Sequence, residues 1–189
     1  MRIAFIVYDD LTLLDFAGAY DPITRLKTMG FIKDLEYHIC SLKSKVKAFE
    51  GVELIPDKVS NDLSEYDYIF IPGGEGVIKL LSDSEFISWI KNIAKDTVVT
   101  AVCGGSLVLG AAGFLYNKSA TTHPSLMKYL SKFTENVSEH RIVEDGNLIT
   151  ARGVTSSIDL GLYICEKIAG VETREKIQKQ MDYSAYTTK

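Results

Sequence analysis

Residues 2–8 (Arg-Ile-Ala-Phe-Ile-Val-Tyr) carry one polar side chain at the start and then run apolar until Asp9 and Asp10. A continuous apolar run of this length, rather than an alternating one, predicts a strand covered on both faces, as in a parallel sheet. Residues 67–71 and 97–102 repeat the pattern, the second rich in β-branched side chains. Residues 35–42 read as a further strand, with Tyr37, Ile39 and Ser41 alternating with Glu36, His38 and Cys40. Between these runs the apolar period lengthens towards that of a helix. Phe86, Ile87, Ile90 and Ile93 form one face of a helix over 84–95, Leu107, Val108, Ala111 and Ala112 another after residue 103, and Ile158, Leu162 and Cys165 a third. Residues 15–29 predict a helix broken near Pro22 and ended by Gly30. Residues 43–57, centred on Phe49-Glu50-Gly51-Val52, predict a small hairpin at a sheet edge, and 141–151 a hairpin turning at Asp145-Gly146. From 172 to 189 an amphipathic helix begins and then frays. Strands alternating with helices, without repeats or linkers, predict a doubly wound, mostly parallel α/β sheet in a single domain over residues 1–189.

Composition narrows the partners. With 46% hydrophobic and 24% charged residues, the chain is ordinary for a globular protein, and its net charge of −4 without a basic stripe argues against nucleic acid or an anionic membrane as partner. The N-terminal apolar run is too short for a signal peptide, and nothing approaches the ~20 apolar residues needed to span a bilayer. Three cysteines, an odd number without metal-like spacing, point to a reducing compartment, hence a cytoplasmic location with no metal site. Cys40 and His38 read as structural and Cys165 as core.

Candidate chemistry gathers at residues 97–113, where a buried strand meets a helix at Cys103. That junction is the geometry of a nucleophile elbow. The positive end of the following helix is expected to lower the thiol pKa, and Gly104 and Gly105 leave backbone N–H groups bare for a developing negative charge. Pro72-Gly73-Gly74-Glu75-Gly76 follows a buried strand, where open α/β sheets place ligands, but lacks the lysine and spacing of a phosphate loop. Gly73 and Gly74 are therefore candidate oxyanion donors beside Gly104. Asp15, among Leu13, Leu14, Phe16 and Ala17, either caps a helix or belongs to a site. His123 is the best placed of the three histidines to partner the thiol. Asp159 suits either a helix N-terminal interaction or a buried hydrogen bond.

Taken in order, Leu14-Asp15-Phe16-x-Gly18, Ile71-Pro72-Gly73-Gly74, Ala101-Val102-Cys103-x-Gly105, Ala111-Ala112-Gly113, Ala120-Thr121-Thr122-His123 and Gly153-Val154-Thr155-x-x-Ile158-Asp159 resemble the ThiJ/PfpI superfamily. The likeness covers residues 1 to about 180 and is greatest to the isonitrile hydratase branch and to the amidotransferase-like domains of AraC-type regulators. It implies a flavodoxin-like, class I glutamine amidotransferase-like fold. It also implies a homodimeric hydratase or hydrolase acting on a small C–N substrate without cofactor, with Cys103 as nucleophile and Asp15 as acidic partner. His123 falls where the superfamily's parkinsonism-associated deglycase has a site histidine. Gly104 stands where isonitrile hydratases carry a catalytic threonine and the intracellular protease branch a histidine. The alternative is a ligand- or redox-sensing dimer in which Cys103 is oxidised without turnover.

Overall fold

The apolar runs become the middle of one sheet. The computed structural model describes residues 1–188 and places β1 (Arg2–Ile6), β6 (Tyr68–Ile71) and β7 (Val98–Val102) side by side, their central residues buried. Around them lie β2 (Glu36–Ser41) with the short edge strand β5 (Lys58–Val59), and on the other side the hairpin β8 (Ile142–Asp145) and β9 (Leu148–Ala151). The order is β5-β2-β1-β6-β7-β9-β8, parallel throughout except that β8 runs against β9. From β1 the chain passes first to β2 and then back past β1 to β6. The direction of winding reverses between β1 and β6, where a doubly wound sheet opens a crevice at its carboxyl ends.

Helices cover the sheet in two groups. α1 (Leu13–Thr28), α6 (Ser156–Ala169) and α7 (Val171–Gln180) pack together, and α2 (Val77–Leu80), α3 (Ser84–Lys91), α4 (Gly105–Ala111) and α5 (Met127–Leu130) form the other group. Among the described residues no helix is long and apolar enough to cross a membrane.

Four expectations need correction. The helix at Pro22 is not broken: α1 continues through it, and the ring sits in a notch of α6 where a Cβ on Gly161 would lie 2.5 Å from Pro22 Cγ. Residues 43–57 do not extend the main sheet. β3 (Val46–Lys47) and β4 (Glu53–Leu54) pair only with each other, because their backbone is held by the loop after β1 through Asp10 N–H to Lys47 O and Phe49 N–H to Leu11 O. The edge position goes to β5. The helix expected over 84–95 stops at Lys91, with the Asn92 and Ile93 N–H groups closing its last turn. Finally, the helix ends at Gln180 but the described tail after it is tied down, Lys189 lying outside the described residues. Thr187 N–H donates to Asp159 Oδ1 at 3.1 Å, Tyr183 Oη to the same oxygen at 3.2 Å, and Tyr186 lies under the Arg174 guanidinium.

Candidate active site

Cys103 follows the last residue of β7 and has φ of +55°, a left-handed conformation that costs a non-glycine residue about 1–3 kcal/mol unless its surroundings impose it. They do. Its N–H donates to the carbonyls of Ala151 (3.1 Å) and Arg152 (2.6 Å), and its own carbonyl accepts from Thr122 Oγ1 (2.7 Å) and Ser106 Oγ (3.1 Å). Gly105 then lets α4 start hard against the end of β6, since a Cβ there would lie 2.4 Å from Ile71 O and 2.7 Å from Pro72 O. Strand, strained cysteine and helix make the expected elbow, with Cys103 buried, 8% exposed as a residue, at the wall of a cavity of about 200 Å3.

Asp15 reaches that thiol from α1. It sits in the first turn but does not cap it; Glu50 Oε2 from the β3–β4 turn accepts the Leu13 N–H instead, at 3.0 Å. The Asp15 carboxyl is fully buried. Its Oδ2 accepts the Gly73 N–H at 3.0 Å, its Oδ1 has no hydrogen-bond partner among the described residues, and the Cys103 side chain lies beside the carboxyl, close enough to shift its acidity. Gly73 is the meeting point: a Cβ there would lie 2.7 Å from both Asp15 Oδ2 and Cys103 Cβ. Its N–H is thus committed to Asp15 and is not an oxyanion donor, which corrects the sequence expectation. Gly74, at φ +135°, and Gly104 line the cavity. The Gly104 N–H lies where it favours the ionised form of the cysteine sulfur.

Burial sets the acidities. It pushes Asp15 up to about 7, with the Gly73 N–H and the thiol pulling the other way and the charge of Glu50 adding to the rise. Burial first, and the Asp15 charge second, push Cys103 up to about 12, the Gly104 N–H opposing them. The expected lowering of the thiol pKa is therefore not what this geometry produces. The amide ends of α4 are outweighed by an acid placed beside the sulfur and by loss of water. Near neutral pH the thiol keeps its proton while Asp15 is close to its midpoint, so the ionised fraction of the acid stands beside the thiol as a base.

His123 lines the same cavity, half-buried, but is not a partner of the thiol. Its Nδ1 accepts the Ser125 N–H at 3.2 Å and pairs with Ser125 Oγ at 2.7 Å, which leaves the ring proton on Nε2 when neutral. The remaining wall sets Val77, Ile78, Leu126 and Val154 beside the polar Thr12, Ser125 and Glu75. A side chain at 104 would meet Val77 Cγ2 at 3.2 Å and Leu126 Cδ1 at 3.3 Å from its Cβ, so the bare glycine keeps this space open. A larger recess of about 670 Å3, beyond the ends of β1 and β2, does not include Cys103; its lysines are partly tied up in ion pairs from Lys43 to Asp9 and from Lys79 to Asp10.

Elsewhere the polar candidates are structural. Cys40 and His38 both meet the hydroxyl of Tyr66, at 3.5 and 3.1 Å, and the Cys165 thiol donates to Pro22 O. Asp159 is buried against Arg141 at 2.6 Å. No site role was read from the sequence for Thr122, Ser106 or Tyr8: Ser106 bonds the Cys103 carbonyl from within the elbow itself, whereas Thr122 and Tyr8 reach the Cys103 and Pro72 carbonyls from 19 and 64 residues away, contacts that leave no periodic trace.

Residues 1–167 match the DJ-1/PfpI family. Isonitrile hydratase of Pseudomonas putida is 34% identical over 186 residues, covering 97% of this chain and 79% of that protein. Protein DJ-1alpha of Drosophila melanogaster is 27% identical, covering 89% of this chain and 77% of its own. The crystal structure of a ThiJ/PfpI family protein from Pseudomonas syringae superposes with a TM-score of 0.88 at 29% identity, over 97% of this chain and 75% of that one.

Proposed function

The chain belongs to the DJ-1/PfpI family, and from that premise we propose that it is a cysteine-dependent hydratase of small neutral C–N compounds, isonitriles foremost. One observation carries the reading: a buried thiol beside a buried carboxyl opens onto a small cavity whose exposed lining is more apolar than polar. At about 200 Å3 the cavity is below the ~300–1,000 Å3 of drug-sized ligand sites and holds few non-hydrogen atoms. No cofactor is needed. Sulfur of Cys103 bonds to the terminal isonitrile carbon as Asp15 takes the thiol proton and returns it to that carbon, giving a thioimidate. Water then adds to the same carbon, with His123 on the wall to orient it, and its proton passes to nitrogen. The C–S bond breaks, sulfur regains a proton, and an N-substituted formamide leaves. The overall balance is isonitrile plus water.

The same pair would open a small amide, so the test includes both. Purified protein and Cys103→Ala are incubated with cyclohexyl isocyanide and a panel of amides, and product is quantified. Formamide formation that falls to background in Cys103→Ala is expected; equal background from both removes the reading. The sensor alternative needs a thiolate open to oxidant, and a buried cysteine whose thiol is pushed up in pKa weighs against it.

The functional unit in this reading is a cytoplasmic homodimer. Exposed Ile78 lines the cavity, exposed Leu14 follows two residues after Thr12 on its wall, and the N–H of exposed Phe49 donates to Leu11 O beside Thr12, a surface suited to a second copy. Sedimentation velocity should then return twice the 21.0 kDa chain mass.

A further inference from the structure

Tyr8 ends the first apolar run, and its ring needs no explanation: it is 4% exposed and packs edge-on against Phe86 with centroids 5.8 Å apart. A phenylalanine would fill the same space. The hydroxyl is what the core does not require, and it donates to Pro72 O at 2.6 Å. The next atom along that peptide unit is the Gly73 nitrogen, whose N–H donates to Asp15 Oδ2 at 3.0 Å.

We propose that Tyr8 is a positioning residue for the thiol–carboxyl pair, acting on Asp15 through the Pro72–Gly73 peptide. A donor on a peptide carbonyl draws electron density from its nitrogen and makes the N–H a stronger donor, so hydrogen bonds linked through one amide reinforce each other. The chain of contacts runs Tyr8 O–H to Pro72 C=O, Gly73 N–H to Asp15, and Asp15 to Cys103. Its effect is to hold Asp15 in a fixed orientation and to favour its ionised form against burial. Burial, and the nearby Asp15 and Cys103, also raise Tyr8's own pKa, so the hydroxyl keeps its proton and remains a donor wherever the pair titrates. The inference rests on the reading of Asp15 as the proton carrier, but not on the identity of the substrate.

The test follows alkylation of Cys103 by iodoacetamide against pH, read by mass spectrometry of the Cys103 peptide. Wild type should show an inflection near 7, where Asp15 ionises. Tyr8→Phe should move it up by about 0.1–0.6 pH unit, the fraction of one charge-assisted hydrogen bond that such reinforcement supplies. Replacing Tyr8 with 3-fluorotyrosine, a stronger donor of nearly the same shape, should move it down, and this variant serves if Tyr8→Phe does not fold. In Asp15→Asn the inflection should vanish, and adding Tyr8→Phe should change nothing further. Shifts of the same sign from both tyrosine replacements, no shift from either, or a shift that persists in Asp15→Asn overturns the proposal. Because no substrate is used, a lack of isonitrile turnover would remove the functional reading and leave this result standing.

Discussion

Asp15 is held in a place where its charge is costly. An acid whose pKa rises to about 7 on folding keeps its proton to higher pH than the unfolded chain does. The penalty is absent below about pH 4, grows between about 4 and 7, and is constant above that; in size it is on the order of 4 kcal/mol. Asp15→Asn removes the titrating group while keeping the shape. In urea denaturation, its stability relative to wild type should therefore rise as pH goes from about 4 to about 7, with most of the change complete by about 8. A flat difference would mean that Asp15 is not raised. The same residue shows how much of the site could be read in advance. Its odd setting between Leu14 and Phe16 marked it as either a cap or a site member, and nothing local separates the two. The Gly73 N–H, 58 positions away, decides it. Likewise the helix after Cys103 suggested a lowered thiol pKa. Only the fold reveals that the acid lies next to the sulfur and that water is gone.

At the scale of elements, close approach is what the glycines make possible. Gly105 allows the first turn of α4 to touch the carbonyls at the end of β6, and the elbow angle depends on it. Gly105→Ala places a methyl 2.4 Å from Ile71 O, so α4 must back away and carry Cys103 with it. We expect a loss of about 1–3 kcal/mol in stability and a fall in turnover of roughly 100-fold from a misplaced nucleophile, measured by denaturation and by steady-state rates. Retention of both would mean that the elbow tolerates displacement. The buried strands, the elbow and the β8–β9 hairpin were legible because each is dictated by short-range rules: an unbroken apolar run, small residues after a cysteine, a glycine at a tight turn, although the two turn residues are Gly146-Asn147 and Asp145 still pairs with Leu148 as the end of β8. The unbroken α1 was not. Proline normally breaks a helix by what it does to its own turn, whereas here the ring is accommodated by Gly161 from α6, a residue whose relevance no window around Pro22 contains.

Across the whole molecule, the C-terminal segment closes on the outer end of the sheet. Asp159, fully buried, is neutralised by Arg141 and also accepts from Tyr183 Oη and Thr187 N–H. Removing residues 183–189 takes two donors from a buried carboxylate and should cost about 2–4 kcal/mol, read as a lower urea midpoint with little change in the alkylation profile of Cys103. An unchanged midpoint would show that the tail contributes nothing. From sequence this tail had the look of a fraying end, because its anchoring group lies 24 to 28 residues back on another helix. What the sequence by itself determined is the alternating α/β plan, the two-face burial of the central strands and the cysteine at the strand–helix junction. Periodicity and turn chemistry act over a few residues and survive without a partner. What only the tertiary structure decided is which acid meets the thiol, that Gly73 serves that acid rather than an oxyanion, that burial raises the thiol's pKa rather than lowering it, and how small the cavity is. Each of these depends on desolvation and on contacts between segments far apart in the chain, which exist only once the sheet has brought its carboxyl ends together.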